Sequence, residues 1–311
     1  MIKDCKSNLA VEFEIKDLGL MHYFLGLEVW QRDGCFFIGQ RKYAVEILKR
    51  FRMEDCKPMA IPIVSNWRKI DASGSDGFDP TLYRQLIESL MYLANTRLDI
   101  SFAVNSLSQF MVDPRRVHST AAKHILRYIK GTVEYGLVYK RRGSVQLAGF
   151  TDADWAGCVE DMKSTSSCFN IGLGVVSWFN KKQKSIALRL TEAKYMETSM
   201  DACEGMWLRK LFSNLFECGL EATVVHCDNQ SGIRLSENPV FHDRSKHIDI
   251  RCHFLRDCVQ RGTNRLEYIQ TDEQVANIFT KALCKHSFVK FKDKWGCYRI
   301  PSSLRGSVRK W

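Results

Sequence analysis

Three acidic residues stand in short phrases that could do chemistry: Asp152 in Thr151-Asp-Ala-Asp-Trp-Ala-Gly157, Glu192 in Thr191-Glu-Ala-Lys-Tyr195, and Asp228 in His226-Cys-Asp-Asn-Gln230. Asp152 follows the run Leu147-Ala-Gly-Phe150 and Asp228 follows Thr223-Val-Val-His-Cys227, so each is expected at a strand end. Glu192 follows Thr191, a residue suited to cap a helix, and should fall in the first helical turn. Hard carboxylate oxygens gathered from two strand ends and a helix start can hold Mg²⁺, and bound metal relieves their mutual repulsion. Two such ions act on a phosphodiester, one activating water and the other stabilising the leaving oxygen.

The residues alone also admit simpler roles. Asp152 could serve a turn, Asp154 reads as a turn or capping residue, and an acid at position 192 is favoured by the helix dipole whether or not it meets a metal. Asn229 and Gln230 suit hydrogen bonds to the sugar and phosphate of a nucleic acid, 2′-hydroxyls included. His242, His247 and His253 with Cys252 match no zinc spacing, and His226 lies in an apolar run as a structural residue would. Neither a Ser-His-Asp set nor a glycine-rich phosphate loop is present.

The elements that must position these residues follow from the hydropathy pattern. Tyr23 to Trp30 and Cys35 to Ile38 flank Asp33-Gly34 as a hairpin, and Gln40 to Arg52 reads as an amphipathic helix. From Ile63 to Pro80 the chain turns to Ser, Asp, Gly and Pro, a linker composition. Leu82, Leu86, Leu90 and Leu93 form one apolar stripe, and Ser119 to Lys130 a second helix closing at Gly131. Beyond Lys140-Arg-Arg-Gly143 come three β-type runs (147–150, 168–173, 175–179) and a long helix from Thr191 to about Phe216. A strand (223–227), helices near 230–235 and 246–259, a strand (265–269) and a helix from Asp272 to Leu283 follow. Three strands in succession, then strand–helix alternation, predict a mixed sheet with helices against its faces.

At 311 residues there is room for about two domains. A hydrophobic fraction of 45% with 26% charged residues excludes a disordered chain. The net charge of +11 and pI near 9.1 favour a polyanionic partner, while leaving open a merely basic globular protein. Twelve cysteines are scattered without any Cys-x-x-Cys, which reads as reduced thiols in an intracellular protein, cytoplasmic or nuclear. Neither a signal peptide nor an apolar run of membrane-spanning length is evident. From Lys285 to Lys310 eight basic residues stand against one acid, Asp293, as a frayed tail or a phosphate-contacting one.

Taken in order, these phrases resemble the Pol polyprotein of copia-type LTR retrotransposons over roughly residues 10 to 290. Phe13-Glu-Ile-Lys-Asp-Leu-Gly19 and Tyr23-Phe-Leu-Gly-Leu-Glu28 resemble the stretch after the reverse-transcriptase catalytic hairpin; Gln40-Arg-Lys-Tyr43 and Met53-Glu-Asp-Cys-Lys-Pro58 resemble the thumb. Tyr83-Arg-Gln-Leu-Ile87 through Lys123-His-Ile-Leu-Arg-Tyr-Ile-Lys-Gly-Thr132 is similar to the helical connection. Thr151 onward resembles the RNase H domain, including Asp161-Met-Lys-Ser-Thr-Ser166, Lys181-Lys-Gln183 and Lys246-His-Ile-Asp-Ile250.

The resemblance implies an RNase H-like α/β fold, a mixed five-stranded sheet flanked by helices, preceded by an α+β reverse-transcriptase remnant whose hairpin has lost its sheet. The implied division is 1–65 remnant, 66–80 linker, 81–143 helical connection, 144–283 RNase H-like domain and 284–311 basic tail. It makes Asp152, Glu192 and Asp228 ligands of two Mg²⁺ or Mn²⁺ ions acting on an RNA–DNA hybrid, with Asp152 bridging both. Asn229, Gln230, Lys181 and Lys182 become the nucleic-acid contacts. The fourth carboxylate position holds Asn277, whose amide can coordinate but brings no charge; Glu273, expected on the same helix face, is the fallback ligand. The polymerase phrase Tyr-Val-Asp-Asp does not occur, so no DNA synthesis is expected. Lys194 replaces a glutamate common in the family, Glu88 a glycine and Leu98 a proline, the last two as expected packing defects. The alternative to a weakened nuclease is a nucleic-acid-binding remnant or a functionless relic.

Overall fold

In the computed structural model the described residues are 2–17, 19–32, 34–65, 67, 75–140, 146–152, 165–171, 174–181, 190–216, 219, 221–237 and 249–301. After helix α1 (Ile2–Glu12), the expected hairpin forms: β2 (Leu27–Arg32) pairs antiparallel with β3 (Cys35–Gly39), and Gly34 takes φ 71° in the turn, a conformation that favours glycine. A two-residue strand β1 (Tyr23–Phe24) lies outside β2.

The hairpin is not orphaned. β4 (Tyr135–Lys140) pairs antiparallel with β3, and β10 (Cys297–Arg299) pairs with β4, giving the order β1-β2-β3-β4-β10. The expectation of a hairpin without its sheet is therefore overturned, because exposed strand edges are filled by two segments far away in sequence.

Helices α2 (Arg41–Arg50), α3 (Pro80–Leu93), α4 (Ser101–Ser108) and α5 (Arg116–Gly131) supply most of the core. Asp79 caps α3, accepting from the Thr81 and Leu82 amides, and Pro80 sits in its first turn, where no intrahelical donor is needed. Leu86, Leu90 and Leu93 are buried as the stripe predicted; Leu82 is exposed, and Tyr83 and Ile87 complete the inner face. Neither expected packing defect is one. Glu88 points to solvent on the outer face of α3, and Leu98 is fully buried in the core. Beneath these helices Arg97 and Asp99 form a fully buried ion pair at 2.8 Å, with Tyr128 donating to Asp99 at 2.5 Å. Burial would push Arg97 down and Asp99 up, but each other's charge and hydrogen bonds reverse both shifts.

The second sheet comprises β5 (Leu147–Asp152), β6 (Thr165–Ile171), β7 (Gly174–Lys181), β8 (Thr223–Cys227) and β9 (Asn264–Tyr268) in the order β7-β6-β5-β8-β9. β7, β6 and β5 run antiparallel as consecutive hairpins, while β5, β8 and β9 are parallel. The parallel pairings require crossovers, which helices provide. Of these, α6 (Leu190–Phe216) packs on β5 and β8, and α7 (Gln230–Glu237) and α8 (Asp249–Gln260) pack on it and on β9.

In the segment expected as a basic tail, residues 284–301 form a helix and a strand. α10 (Lys285–Lys294) buries Phe288 and Phe291, Trp295 follows fully enclosed, and β10 closes the first sheet. Alternating basic residues had masked an amphipathic helix. The expected helix from Asp272 to Leu283 is interrupted: a 3₁₀ turn at Thr271–Glu273, extended Gln274, then the short α9 (Asn277–Thr280). The boundary near residue 144 does not interrupt the core. One apolar cluster runs from Ile47, Tyr83 and Leu107 to Val175, Val275, Phe279 and Trp295. At the seam Tyr139 donates to the Val175 carbonyl at 2.7 Å, and its ring lies where a Cβ on Gly174 would be.

Candidate metal and nucleic-acid site

Because β5 and β8 are parallel neighbours with Thr151 opposite Cys227, Asp152 and Asp228 emerge side by side from the C-terminal ends of the two strands. Gln274 locks that edge. Fully buried, its Nε2 donates to the Thr151 carbonyl at 2.9 Å and the His226 carbonyl at 3.3 Å, tying together the residues that precede the two acids.

The Asp152 side chain is fully buried. Its Oδ2 accepts from Thr280 Oγ1 at 2.6 Å and from Lys281 Nζ at 3.1 Å, while its Oδ1 has no hydrogen-bond partner among the described residues. Lys281 Nζ also donates to Asn277 Oδ1 at 2.9 Å, and Asn277 Nδ2 donates to the Thr271 carbonyl at 2.9 Å. Thr271 Oγ1 in turn donates to Asp228 Oδ2 at 3.2 Å. One chain of hydrogen bonds thus joins Asp152, Lys281, Asn277, Thr271 and Asp228.

Three of the four expected positions therefore meet. Glu192 is the third residue of α6, in its first turn as expected, on a helix packed against β5 and β8; its side chain and that of Lys194 lie outside the described residues. Asp154 and Lys182 also lie outside them, as do His242 and His247; Lys181 ends β7, described by backbone alone, and His253 and Cys252 stand in α8 in the same way. Gln230 is exposed at the first position of α7. Asn229 is half-buried, and its Nδ2 lacks a partner among the described residues.

Glu273 is not available as a replacement ligand. It lies on the 3₁₀ turn rather than on one helix with Asn277, and hydrogen bonds from Lys290 and Lys294 of α10 hold its carboxyl at about 2. His226 stacks on Phe150 with ring centroids 4.7 Å apart, and burial pushes its imidazole down, Glu267 opposing. That is the structural role expected of it.

Sequence reasoning missed Gln274, Thr280 and Lys281. None carries a carboxylate, and only the tertiary placement of α9 against the end of β5 gives them a role. It also missed the support beneath them: Trp295 donates to the Val275 carbonyl at 3.0 Å and meets Phe150 edge-on at 5.2 Å, so α10 buttresses the segment bearing Asn277 and Lys281.

Among the described residues no three His, Cys, Asp or Glu side chains converge as a metal site. A divalent cation is nonetheless fitted by one feature, the buried and unpaired Oδ1 of Asp152 beside Asp228. A second ion is served less well, since position 277 offers a neutral amide already engaged by Lys281.

The chain thus combines an antiparallel five-stranded sheet with a mixed five-stranded sheet that carries acids at two adjacent strand ends. Residues 1–65 match the reverse transcriptase (RNA-dependent DNA polymerase) family. The chain is 39% identical over 97% of its length to the retrovirus-related Pol polyprotein from transposon RE1 of Arabidopsis thaliana, and 37% identical over 99% to that from transposon RE2. It is 34% identical over 96% of its length to the corresponding polyprotein from transposon TNT 1-94 of Nicotiana tabacum. It spans only 21–23% of the length of these relatives. The chain belongs to the Pol polyproteins of copia-type retrotransposons. No helix among the described residues is long and apolar enough to cross a membrane.

Proposed function

We propose that residues 144–283 form an RNase H-type unit, ancestrally hydrolysing the RNA strand of RNA–DNA hybrids. The observation that carries this reading is the emergence of Asp152 and Asp228 from adjacent parallel strands, joined to Asn277 by continuous hydrogen bonds. The strand order β7-β6-β5-β8-β9, three antiparallel strands and then two parallel additions, supports an RNase H-like fold. Asp152, Asp228 and Glu192 would hold Mg²⁺ or Mn²⁺, and the bound metal would supply an activated water and a stabilised leaving oxygen.

The chain's own groups do the positioning. Gln274 fixes the two strand ends, Thr280 orients the Asp152 carboxylate, and Thr271 orients Asp228. Gln230, exposed beside Asp228, is placed to contact a sugar or phosphate; Asn229, Lys181 and Lys182 complete the proposed nucleic-acid contacts. With no Tyr-Val-Asp-Asp in the sequence, this reading gives the segment no polymerase step. It acts where the element's RNA and DNA meet, in cytoplasm or nucleus.

A second reading, a binding remnant without turnover, is favoured by the Lys281–Asn277 contact that takes up the fourth ligand position. The test is cleavage of an RNA–DNA hybrid with Mg²⁺ or Mn²⁺. RNA-strand cleavage lost in Asp152→Asn supports the nuclease. Hybrid binding with no cleavage at any metal concentration moves the conclusion to the remnant.

A further inference from the structure

We propose that Lys281 is a tethered counter-ion, occupying the charge position of a divalent cation at Asp152 until one displaces it. This rests on the metal-site reading above. One ammonium bridges the first and fourth positions of the acidic set, 3.1 Å from Asp152 Oδ2 and 2.9 Å from Asn277 Oδ1. The Asp152 side chain is 0% exposed, and a buried carboxylate without an opposite charge is strongly disfavoured. The Lys281 side chain is 35% exposed, so its head has a path to water. Lysine carries a compact charge on a flexible stem, which can leave without moving the backbone.

The lysine satisfies only half of the carboxylate. Asp152 Oδ1 is buried and keeps no hydrogen-bond partner among the described residues, so its lone pairs are open to a cation. A divalent cation on Asp152 must then either lie close to a like charge or expel it. The device has two consequences. Without metal the buried carboxylate stays neutralised and the edge of the sheet stays folded. With metal, part of the binding free energy goes into expelling the ammonium, which raises the metal concentration the site requires.

The test uses the full chain, with Mn²⁺ as probe, read by the paramagnetic signal of free Mn²⁺ and by thermal melting. Lys281→Gln keeps a hydrogen-bond donor and removes the charge. It should bind Mn²⁺ about tenfold tighter than the parent, corresponding to about 1.4 kcal/mol. In EDTA it should melt lower than the parent, and Mn²⁺ should raise its melting temperature by more. Asp152→Asn, run alongside, should lose Mn²⁺ binding. If it does and Lys281→Gln gains no affinity, the counter-ion proposal is overturned while the metal site stands. If Asp152→Asn keeps the parent's affinity, or no variant binds Mn²⁺, both are overturned. Should Lys281→Gln fail to fold, acetylation of Lys281 in the parent, followed by mass spectrometry, decides. Labelling several-fold faster with saturating Mg²⁺ than with EDTA supports displacement, and equal rates overturn it.

Discussion

At position 277 an amide does two things a carboxylate cannot do together: it donates to the Thr271 carbonyl and accepts from Lys281. Asn277→Asp would set a buried carboxylate oxygen against that carbonyl and lose the hydrogen bond donated to it, leaving the carbonyl only the Gln274 amide. In EDTA the variant should lose about 1–3 kcal/mol of stability, measured by chemical denaturation. The same substitution adds a charged metal ligand, so Mg²⁺ should restore stability, and hybrid cleavage should rise far more at low Mg²⁺ than at saturation. A parent and variant indistinguishable across the Mg²⁺ titration would remove position 277 from the ligand set. The fallback considered from sequence, Glu273, is already engaged by Lys290 and Lys294, so its substitution should leave metal binding unchanged.

Two elements hold the site in place. α6 carries Asp201, fully buried beside Thr151 of β5, and neither of its oxygens has a hydrogen-bond partner of standard geometry among the described residues. Burial pushes this carboxyl well up, and Glu204 adds to the shift. The folded chain thus keeps a proton that the unfolded chain releases near about pH 3.9. Stability is fully present below that pH and is lost as pH rises toward the folded value. Asp201→Asn should flatten this dependence and stabilise the chain at pH 7 by about 1–3 kcal/mol, checked by melts from pH 4 to 8. α10 is the other support. Trp295→Ala removes the indole that meets Phe150 and Phe279 and bonds the Val275 carbonyl, which should cost about 3–5 kcal/mol in denaturant unfolding. Because α9 rests on that indole, metal affinity should fall as well.

At the scale of the whole molecule, the charge of +11 points to a polyanion, and contacts to phosphates release counter-ions. Binding of the chain to nucleic acid should weaken steeply between 50 and 200 mM salt, about tenfold or more if several phosphates are contacted, with no sequence preference. Anisotropy titrations on unrelated sequences check it, and a salt-insensitive affinity would contradict it. The largest apolar cluster among the described residues runs from α2 into α10 and joins the two sheets. An excised 144–283 fragment would expose Val175, Val275 and Phe279 and lose Trp295, so the seam is a condition of the site's stability rather than a passive junction.

Local sequence is enough to specify the hairpin around Gly34, the apolar face of α3, and the placing of Asp152 and Asp228 at strand ends. Each is a local consequence of side-chain periodicity and turn chemistry, legible within a dozen residues. The family phrases located Glu192 and the substitution at Asn277. The pairings between distant segments emerge only when the chain is packed. β4 and β10 complete the first sheet, α10 lies under α9, and Lys281 faces Asp152 across 129 residues of sequence. The same logic overturned readings that looked local: Glu88 is harmless because its side of α3 meets water, and Glu273 is spent on two lysines from another helix. Periodicity says which face of an element is buried; only the packed chain says what buries it, and at this site the partner is a lysine rather than a fourth acid.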